Sequence, residues 1–429
     1  PIGAAMRGHG ITHSRFACEL QMDMAAKELG LDPVEIRLKN AIEVKPGEVY
    51  QTVNKVTVRS CGIKEALKKI AEHPLWRDKD KRPKREGNIH WGVGISATTY
   101  LSGARQRGHQ SCAALVRICE DGTVNLITGA TDAGQGSDTV LSMIVAEELG
   151  IPLEMVDIKR VDSAYTPVDP GTYGSRVTVL AGQATQLAAR DAKRQLLAAL
   201  ARYWEISPED IEIRNGVAFC KTDATKVMPF KQLARLACYS GPGSVIIGRG
   251  HSTYGLEPLD FETGIGDGGT AYSFTAQAAR VGVDVETGKI IVTDFVIAHD
   301  CGTPLNPTLV EAQNEGGAVQ GLGQTLYEEF VMQEGRTLNP TFLDYKMPRS
   351  TDVPNIEVIH IPTYDPNGPY GAKEASEGSI VSTPPAIVNA IYDAIGVWIK
   401  DLPATPEKVM RALESQREKI KKNPKYKSQ

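Results

Sequence analysis

The chain has 429 residues, of which 41% are hydrophobic and 23% charged, with a formal net charge of −4. That balance belongs to a globular protein large enough for two domains or one large composite. It gives no reason to expect a nucleic acid or an anionic membrane as partner, and no run of eighteen apolar residues offers a transmembrane helix.

The chain opens on Pro1 and reaches Arg7-Gly8-His9-Gly10 without the charged-then-apolar pattern of a signal segment. A processed or split polypeptide is therefore expected, its start missing or carried on another chain. Ser14 to Leu29 reads as an amphipathic helix, with Phe16, Leu20 and Leu29 among its apolar positions and Gly30 as its stop. Asp32-Pro33-Val34-Glu35 starts another, with Asp32 as N-cap, Pro33 at the first helical position and Glu35 closing a capping box. His73 to Asn88, rich in Lys, Arg, Asp and Pro, is expected to be a solvated linker between two domains.

Beyond the linker the pattern changes. Ala113–Cys119 and Thr123–Thr128 flank Asp121-Gly122, a hairpin signal, and Gln277–Val285 and Lys289–Ala298 repeat it around Glu286-Thr287-Gly288. Helices are predicted from Asp138 to Leu149, stopped by Gly150 and Pro152, and from Thr178 to Tyr203. Hairpins alternating with helices point to an α+β fold rather than a doubly wound parallel sheet. The two hairpin-plus-helix halves resemble a loose internal duplication. The tail from Lys419 to Gln429 is Lys-rich and expected to fray.

The seven cysteines form no C-x-x-C pair, so neither a zinc ribbon nor an iron–sulfur cluster is expected, and no metal held directly by protein side chains. Scattered free thiols fit a reducing cytoplasm.

Four loops could carry chemistry. In Thr131–Thr139, Gly134 and Gly136 flank Gln135 between a strand and a helix, where close backbone approach and unpaired N–H groups suit an anion such as phosphate. An ordinary strand-to-helix turn explains the same residues. Asp169–Arg176 is a second glycine-rich loop before a helix. Gln313–Gly323 holds four glycines in a helical pattern, at about 1 kcal/mol each, which implies close approach by a ligand or by a second helix. Gly371–Ser379 places Glu374 and Glu377 between glycines, ahead of Ile380–Pro385 and an apolar helix. There a carboxylate can be aimed and its basicity controlled. Gly264–Gly269 matches G-x-G-x-x-G, but a strand rather than a helix follows, so nicotinamide binding is rejected. No G-x-S-x-G or Cys–His signature argues for a hydrolase.

In order along the chain, Ala5-Met6-Arg7-Gly8-His9-Gly10, the Ala133–Thr139 loop, Thr166-Pro167 through Arg176, His299-Asp300-Cys301-Gly302 with Leu305-Asn306-Pro307, Gln313–Gly323 and the Glu377 loop resemble the molybdenum-binding subunit of the xanthine dehydrogenase/aldehyde oxidase family. The phrases A-M-R-G-H-G, S-R-V-T and D-P-N-G-P-Y-G-A-K-E-A-S-E-G look like its 4-hydroxybenzoyl-CoA reductase branch more than its purine hydroxylases. The resemblance covers only the C-terminal portion of the family's subunit. It implies that residues 1–86 are the end of a first molybdopterin-binding domain plus linker, and 87–429 a second such domain.

The resemblance also implies a cofactor and roles. Molybdenum, with oxo and sulfido ligands, would be held by the pterin of molybdopterin cytosine dinucleotide rather than by protein ligands. Gln135 and Gln313 match positions that hydrogen-bond the pterin, with Gly134, Gly136 and Ser137 in the same cofactor loop. Tyr173, Gly174 and Ser175 match the loop beside the cavity and the pterin phosphate. Glu377 matches the catalytic glutamate, and Arg7 an arginine that polarises the substrate. The family's loop reads G-x-x-G-E-P. Ala375-Ser376-Glu377-Gly378 stands for its last four residues, leaving Glu374 where other members have Gly. A protonated carboxyl in such a pair would suit reductive loss of a ring hydroxyl as a base suits hydroxylation.

The function so implied is that of a cytoplasmic molybdenum oxidoreductase component acting on a small aromatic or acyl-CoA substrate. Iron–sulfur and flavin groups would sit on partner subunits of a hetero-oligomer, together with the upstream molybdopterin-domain polypeptide. One alternative hydroxylates N-heterocycles, purines or aldehydes. Ile95–Gly103, corresponding to a substrate wall, lacks the Phe typical of xanthine enzymes. The other alternative is a non-catalytic assembly subunit.

Overall fold

Gly30, in the left-handed conformation that its missing side chain permits, ends the first helix of the computed structural model, α1 (Ile11–Leu29). The structure describes residues 6–104, 111–159, 161–239, 245–253, 259–260 and 262–422. Ala5 and residues 423–429 of the basic tail lie outside them. In α2 (Pro33–Asn40) the Asp32 carboxylate accepts from Val34 N at 2.7 Å, as an N-cap should. Glu35 pairs with Lys39 at 2.9 Å instead of closing a capping box. α3 (Ile63–Glu72) leads into the stretch expected to be solvated, and here the structure differs. A short helix, Pro74–Arg77, buries Leu75 and Trp76 in a core shared with Leu67, Ile95 and Phe274. The surrounding charges mask this apolar anchor in the sequence.

The remaining main elements follow in order: β1 (Ile89–Ala104), β2 (Ser111–Ile118), β3 (Val124–Thr128), α4 (Ser137–Leu149), β4 (Val156–Ile158), α5 (Gly182–Trp204), α6 (Phe230–Tyr239), β5 (Ile247–Thr253), β6 (Gly269–Asp284), β7 (Ile290–Gly302), α7 (Pro307–Leu326), β8 (Asn355–Pro362), α8 (Gly378–Ile395) and α9 (Pro406–Lys422). They build two layered units. The smaller sheet has the order β5-β2-β3-β4 and packs on α4, α5 and α6. The larger has the order β8-β7-β6-β1, plus the edge strand Arg85–Glu86. Both hairpins expected from the sequence are present, β2 with β3 and β6 with β7. This is the mixed helix–sheet architecture anticipated above.

Alternation along β6 and β7 gives the larger sheet two apolar faces. Val281, Val283, Phe295 and Ile297 face α7, α8 and α9, whereas Phe274, Ala276, Val296 and Ala298 face α2 and α3. On β1 the face toward α8 carries Gly92 and Gly94. A Cβ on Gly94 would stand 2.1 Å from Ala390 N, so α8 rests directly on the strand backbone. α8 starts at Gly378 and runs through Pro384 and Pro385, which the sequence reading places ahead of the helix. Around the prolines the sheet grips its backbone: Gln277 donates to Ser379 O at 2.8 Å and Ser96 to Ser382 O at 2.6 Å. Ile95–Gly103, expected as a substrate wall, forms the second half of β1, and none of its residues is among those that line the cavity described below.

One buried charge cluster ties α1 and α2 to β1. Arg37 bonds Glu19 at 2.9 Å and Asp23 at 2.6 Å, and Glu19 also accepts from Ala97 N at 2.7 Å. Burial pushes the Asp23 carboxyl up to about 6, against the Arg37 charge and with help from Glu19. A carboxyl that holds its proton more tightly when folded stabilises fully below its unfolded pKa, and that stability is lost as pH rises toward 6. Asp23→Asn removes this slope. Urea unfolding at pH 4 and pH 6.5 should therefore show the variant gaining on the parent by about 2–3 kcal/mol as pH rises. A constant difference would contradict it.

Candidate active site

The lead-ins of three helices and the segment before α1 meet around one cavity of about 710 Å³. Its walls are Ala133–Ser137 ahead of α4, Thr172–Thr178 ahead of α5, Met6, Arg7 and His9 ahead of α1, and Ala372–Glu377 ahead of α8. The first turns of α7 close it with Leu309, Val310 and Gln313. Of the residues expected at the site, Arg7, Gly134, Gln135, Gly136, Ser137, Tyr173, Ser175, Gln313 and Glu377 all line this cavity. Gly174 sits just behind it, its carbonyl accepting from Gly103 N at 3.0 Å.

Glu377 is the most constrained of them. Its side chain is 8% exposed. Oε1 accepts from Gly8 N at 3.0 Å and Oε2 from Ser175 Oγ at 2.6 Å. The buried Tyr100 hydroxyl bonds the same carboxylate. Burial, then the charges of Glu377 and Glu374, push that phenol far above its ordinary range, so it donates. Three donors on a group with about four acceptor directions fix the carboxylate and leave one direction for a proton.

Glu374, which the sequence leaves without a role, caps α8. Its Oε2 accepts from Ser376 N at 2.8 Å, Glu377 N at 2.9 Å and Gly378 N at 3.3 Å, and Ser273 Oγ bonds Oε1. These are the orphan donors of a helix start, and a carboxylate is their natural acceptor. Ser175 Oγ lies between the two carboxylates, 3.2 Å from Glu374. It holds that place with a φ of 50°, uncommon for a residue other than glycine. The adjoining Arg176 is buried and bonds Asp169 at 2.6 Å, Gly171 O at 3.0 Å and Ser111 O at 2.9 Å, which pins the loop.

The turn ahead of α4 differs from expectation in one respect. Asp132 takes Gly134 N at 2.7 Å, Gly136 N at 3.3 Å and Asp138 N at 3.0 Å, so these N–H groups are not free for a phosphate. Burial works against the Asp132 charge, but these donors outweigh it and hold the carboxyl below its ordinary value. Gln135 is held in place by Ala133 N at 2.7 Å and by Ser137 Oγ at 2.8 Å. Arg7 braces two walls: Nε donates to Ser376 O at 2.7 Å, and one terminal nitrogen to Gln313 O at 2.9 Å and Oε1 at 3.1 Å. Burial pulls its guanidinium below the ordinary value, opposed by Glu374 and Glu377.

Behind the Glu377 segment lies a fully buried ion pair, Lys373–Asp300, at 2.7 Å. His299, also fully buried, donates from Nε2 to Glu374 O at 3.1 Å and accepts at Nδ1 from Thr275 Oγ1 at 2.7 Å, burial keeping the ring neutral. Tyr100 and Ser273 sit mid-strand, and the sequence carries no signal for them. His9 and His13 have a spacing that on one helix would suit a metal. His9, however, lies ahead of α1 with a φ of 46°.

A family model described as the molybdopterin cofactor-binding domain matches residues 67–354, and a second of the same description matches residues 1–41. The chain is 34% identical to a putative xanthine dehydrogenase molybdenum-binding subunit of Escherichia coli (strain K12), over 95% of this chain and 53% of that one. It is 32% identical to the nicotine 6-hydroxylase large subunit of Paenarthrobacter nicotinovorans, over 96% of this chain and 51% of the relative. The crystal structure of quinoline 2-oxidoreductase from Pseudomonas putida 86 superposes with a TM-score of 0.85 at 30% identity, over 96% of this chain and 53% of that chain. The chain thus spans about half the length of the relatives it matches. Sequence, fold and cavity agree, and the chain belongs to the molybdopterin cofactor-binding domain family in the form carried by xanthine dehydrogenase-type molybdenum-binding subunits.

Proposed function

We propose that this chain is the cofactor-binding, catalytic part of a molybdenum oxidoreductase that acts on an aromatic or heteroaromatic ring, with Glu377 as its base. The observation that carries this reading is the Glu377 carboxylate, buried, oriented by three donors and set in the wall of the cavity. The cavity fits a pterin dinucleotide. Polar groups of Gln135, Gln313 and Ser137 line it, and a Cβ on Gly134 would meet nothing within 4 Å. Among the described residues no group of three or more His, Cys, Asp or Glu side chains could hold a metal ion. In this reading the metal is carried by its organic ligand.

Bound there, the cofactor supplies a two-electron redox centre and oxygen-transfer chemistry. Gln135 and Gln313 hydrogen-bond the pterin, and Gly134, Gly136 and Ser137 border it. The phosphate is assigned to Tyr173, Gly174 and Ser175, because Asp132 already occupies the start of α4. Glu377 takes a proton at its open acceptor direction. Arg7, with most of its donors spent on Gln313 and Ser376, polarises the substrate through its charge.

The cytosine dinucleotide form, iron–sulfur and flavin partner subunits, an upstream molybdopterin-domain polypeptide, a domain boundary near residue 86 and a cytoplasmic location belong to the same proposal. No helix among the described residues is long and apolar enough to cross a membrane. The names of two relatives, nicotine 6-hydroxylase and quinoline 2-oxidoreductase, favour N-heterocycle hydroxylation as a second reading. The reductase-like reading of a 4-hydroxybenzoyl-CoA type rests on the Asp365–Gly378 phrase with its Glu374. The purified complex is expected to contain molybdenum and pterin. It should turn over 4-hydroxybenzoyl-CoA or an N-heterocycle (nicotinate, quinoline) well above xanthine and benzaldehyde. A complex without molybdenum, or a preference for xanthine or benzaldehyde, would overturn the proposal.

A further inference from the structure

The turn before α1 carries a titratable group that the proposed reaction leaves unused. Gly8, His9 and Gly10 have φ values of 95°, 46° and 81°, three left-handed residues in a row. Histidine is among the few side chains that tolerate this region, though with some steric strain. This backbone aims two groups at one atom. Gly8 N donates to Glu377 Oε1 at 3.0 Å, and His9 Nε2 stands 3.9 Å from the same oxygen. The His9 side chain is 39% exposed where Glu377 is 8% exposed, so the imidazole spans the distance from the buried carboxylate to water. Tyr173 flanks it, the ring centroids 6.2 Å apart and tilted by 41°. The other titratable groups around the pair are Glu374 on the same segment as Glu377, Arg7 beside His9, and Tyr100, which reaches the carboxylate from β1.

We propose that His9 relays protons between Glu377 and solvent, an inference that rests on Glu377 being the base. Glu377, having taken a proton from the reacting group, passes it from its carboxyl O–H to neutral Nε2 of His9. The imidazolium then gives a proton to water. Carboxylate and neutral imidazole are restored, one proton has left the cavity and no electrons have moved. A small rotation of the ring, or one bridging water, closes the 3.9 Å gap. In a reductive direction the same relay runs inward.

The test uses the holo complex and single-turnover rates with the substrate identified by the panel above. His9→Phe keeps a ring without a proton site, and His9→Asn suits the left-handed backbone without relaying. Both should react about 10²-fold more slowly, at the low end of acid–base effects, with KM within roughly threefold of the parent and unchanged molybdenum content; melting should be unchanged in His9→Asn and lower in His9→Phe, whose ring is strained at this φ. Added imidazole should restore His9→Ala by roughly tenfold or more. Independently of rate, carbethoxylation of His9 by diethyl pyrocarbonate, mapped by peptide mass spectrometry, should slow when quinoline fills the cavity. A parental rate in His9→Phe, a rise in KM alone, no rescue by imidazole, or no protection by quinoline overturns the relay. An active Glu377→Gln enzyme overturns the base assignment itself, which distinguishes the two failures.

Discussion

Glu377→Gln is expected to lose turnover by about 10²- to 10⁴-fold while keeping its molybdenum. The amide keeps the shape of the carboxyl group, and its oxygen can still accept from Gly8 N or Ser175 Oγ. Its nitrogen, however, brings a donor to a place already supplied with donors by the backbone, Ser175 and Tyr100. One of these must go unsatisfied, at about 1–3 kcal/mol, so a modest drop in melting temperature should accompany the kinetic loss. The cofactor loops around Gln135 and Gln313 are untouched. Metal content and turnover measured on the same preparation therefore separate the two roles. Near-normal rates with full molybdenum would remove Glu377 from the chemistry.

The second large effect concerns stability. Lys373 and Asp300 are both fully buried, and their 2.7 Å contact is one part of a larger arrangement. Asp300 also accepts from Gly62 N at 2.8 Å, Gly302 N at 3.0 Å and Thr363 Oγ1 at 2.6 Å, tying α3, β7 and the segment after β8 together. Lys373→Met would leave that carboxylate buried without a counter-charge, at about 3–5 kcal/mol. Urea unfolding should show the loss. Activity should fall too, because the side-chain contact with Asp300 anchors the segment that leads to Glu377. Adding Asp300→Leu should recover only part of the loss, since Gly62, Gly302 and Thr363 then lose their acceptor. A cost below about 1 kcal/mol for Lys373→Met would contradict this account.

Much of the fold is legible in short-range chemistry. Gly30 and Gly150 stop helices where the sequence places the stops, and Asp121-Gly122 and Glu286-Thr287-Gly288 turn hairpins. What escapes the sequence is whatever depends on partners far along the chain. Pro384 and Pro385 read as helix breakers, yet α8 runs through them, packed on β1 and bonded by Gln277 and Ser96 from the sheet. Leu75 and Trp76 look solvated among charges until β1 and β6 cover them. The cavity-lining loops are visible as glycine-rich lead-ins to helices. Their contents are only half visible: Asp132 and Glu374 fill helix starts that otherwise suit an anion, and the contact of Gly8 with Glu377 spans 369 residues. No local pattern encodes such a pairing, and only the ordered resemblance brings both ends to one site.

The capped start of α8 bears on how this scaffold can diversify. The helix is buried from Gly378 to Ile391 and rests directly on the backbone of β1. Glu377 is thus fastened to the least yielding part of the molecule, and a new substrate cannot be accommodated by shifting it. Adaptation has to occur in the other walls, where Met6, Thr172 and Leu305 border the cavity on lead-in loops. Variation there can reshape the opening without moving the carboxylate. One immobile base can in this way serve a succession of differently shaped rings, with selectivity evolving at the rim while the reaction centre stays fixed.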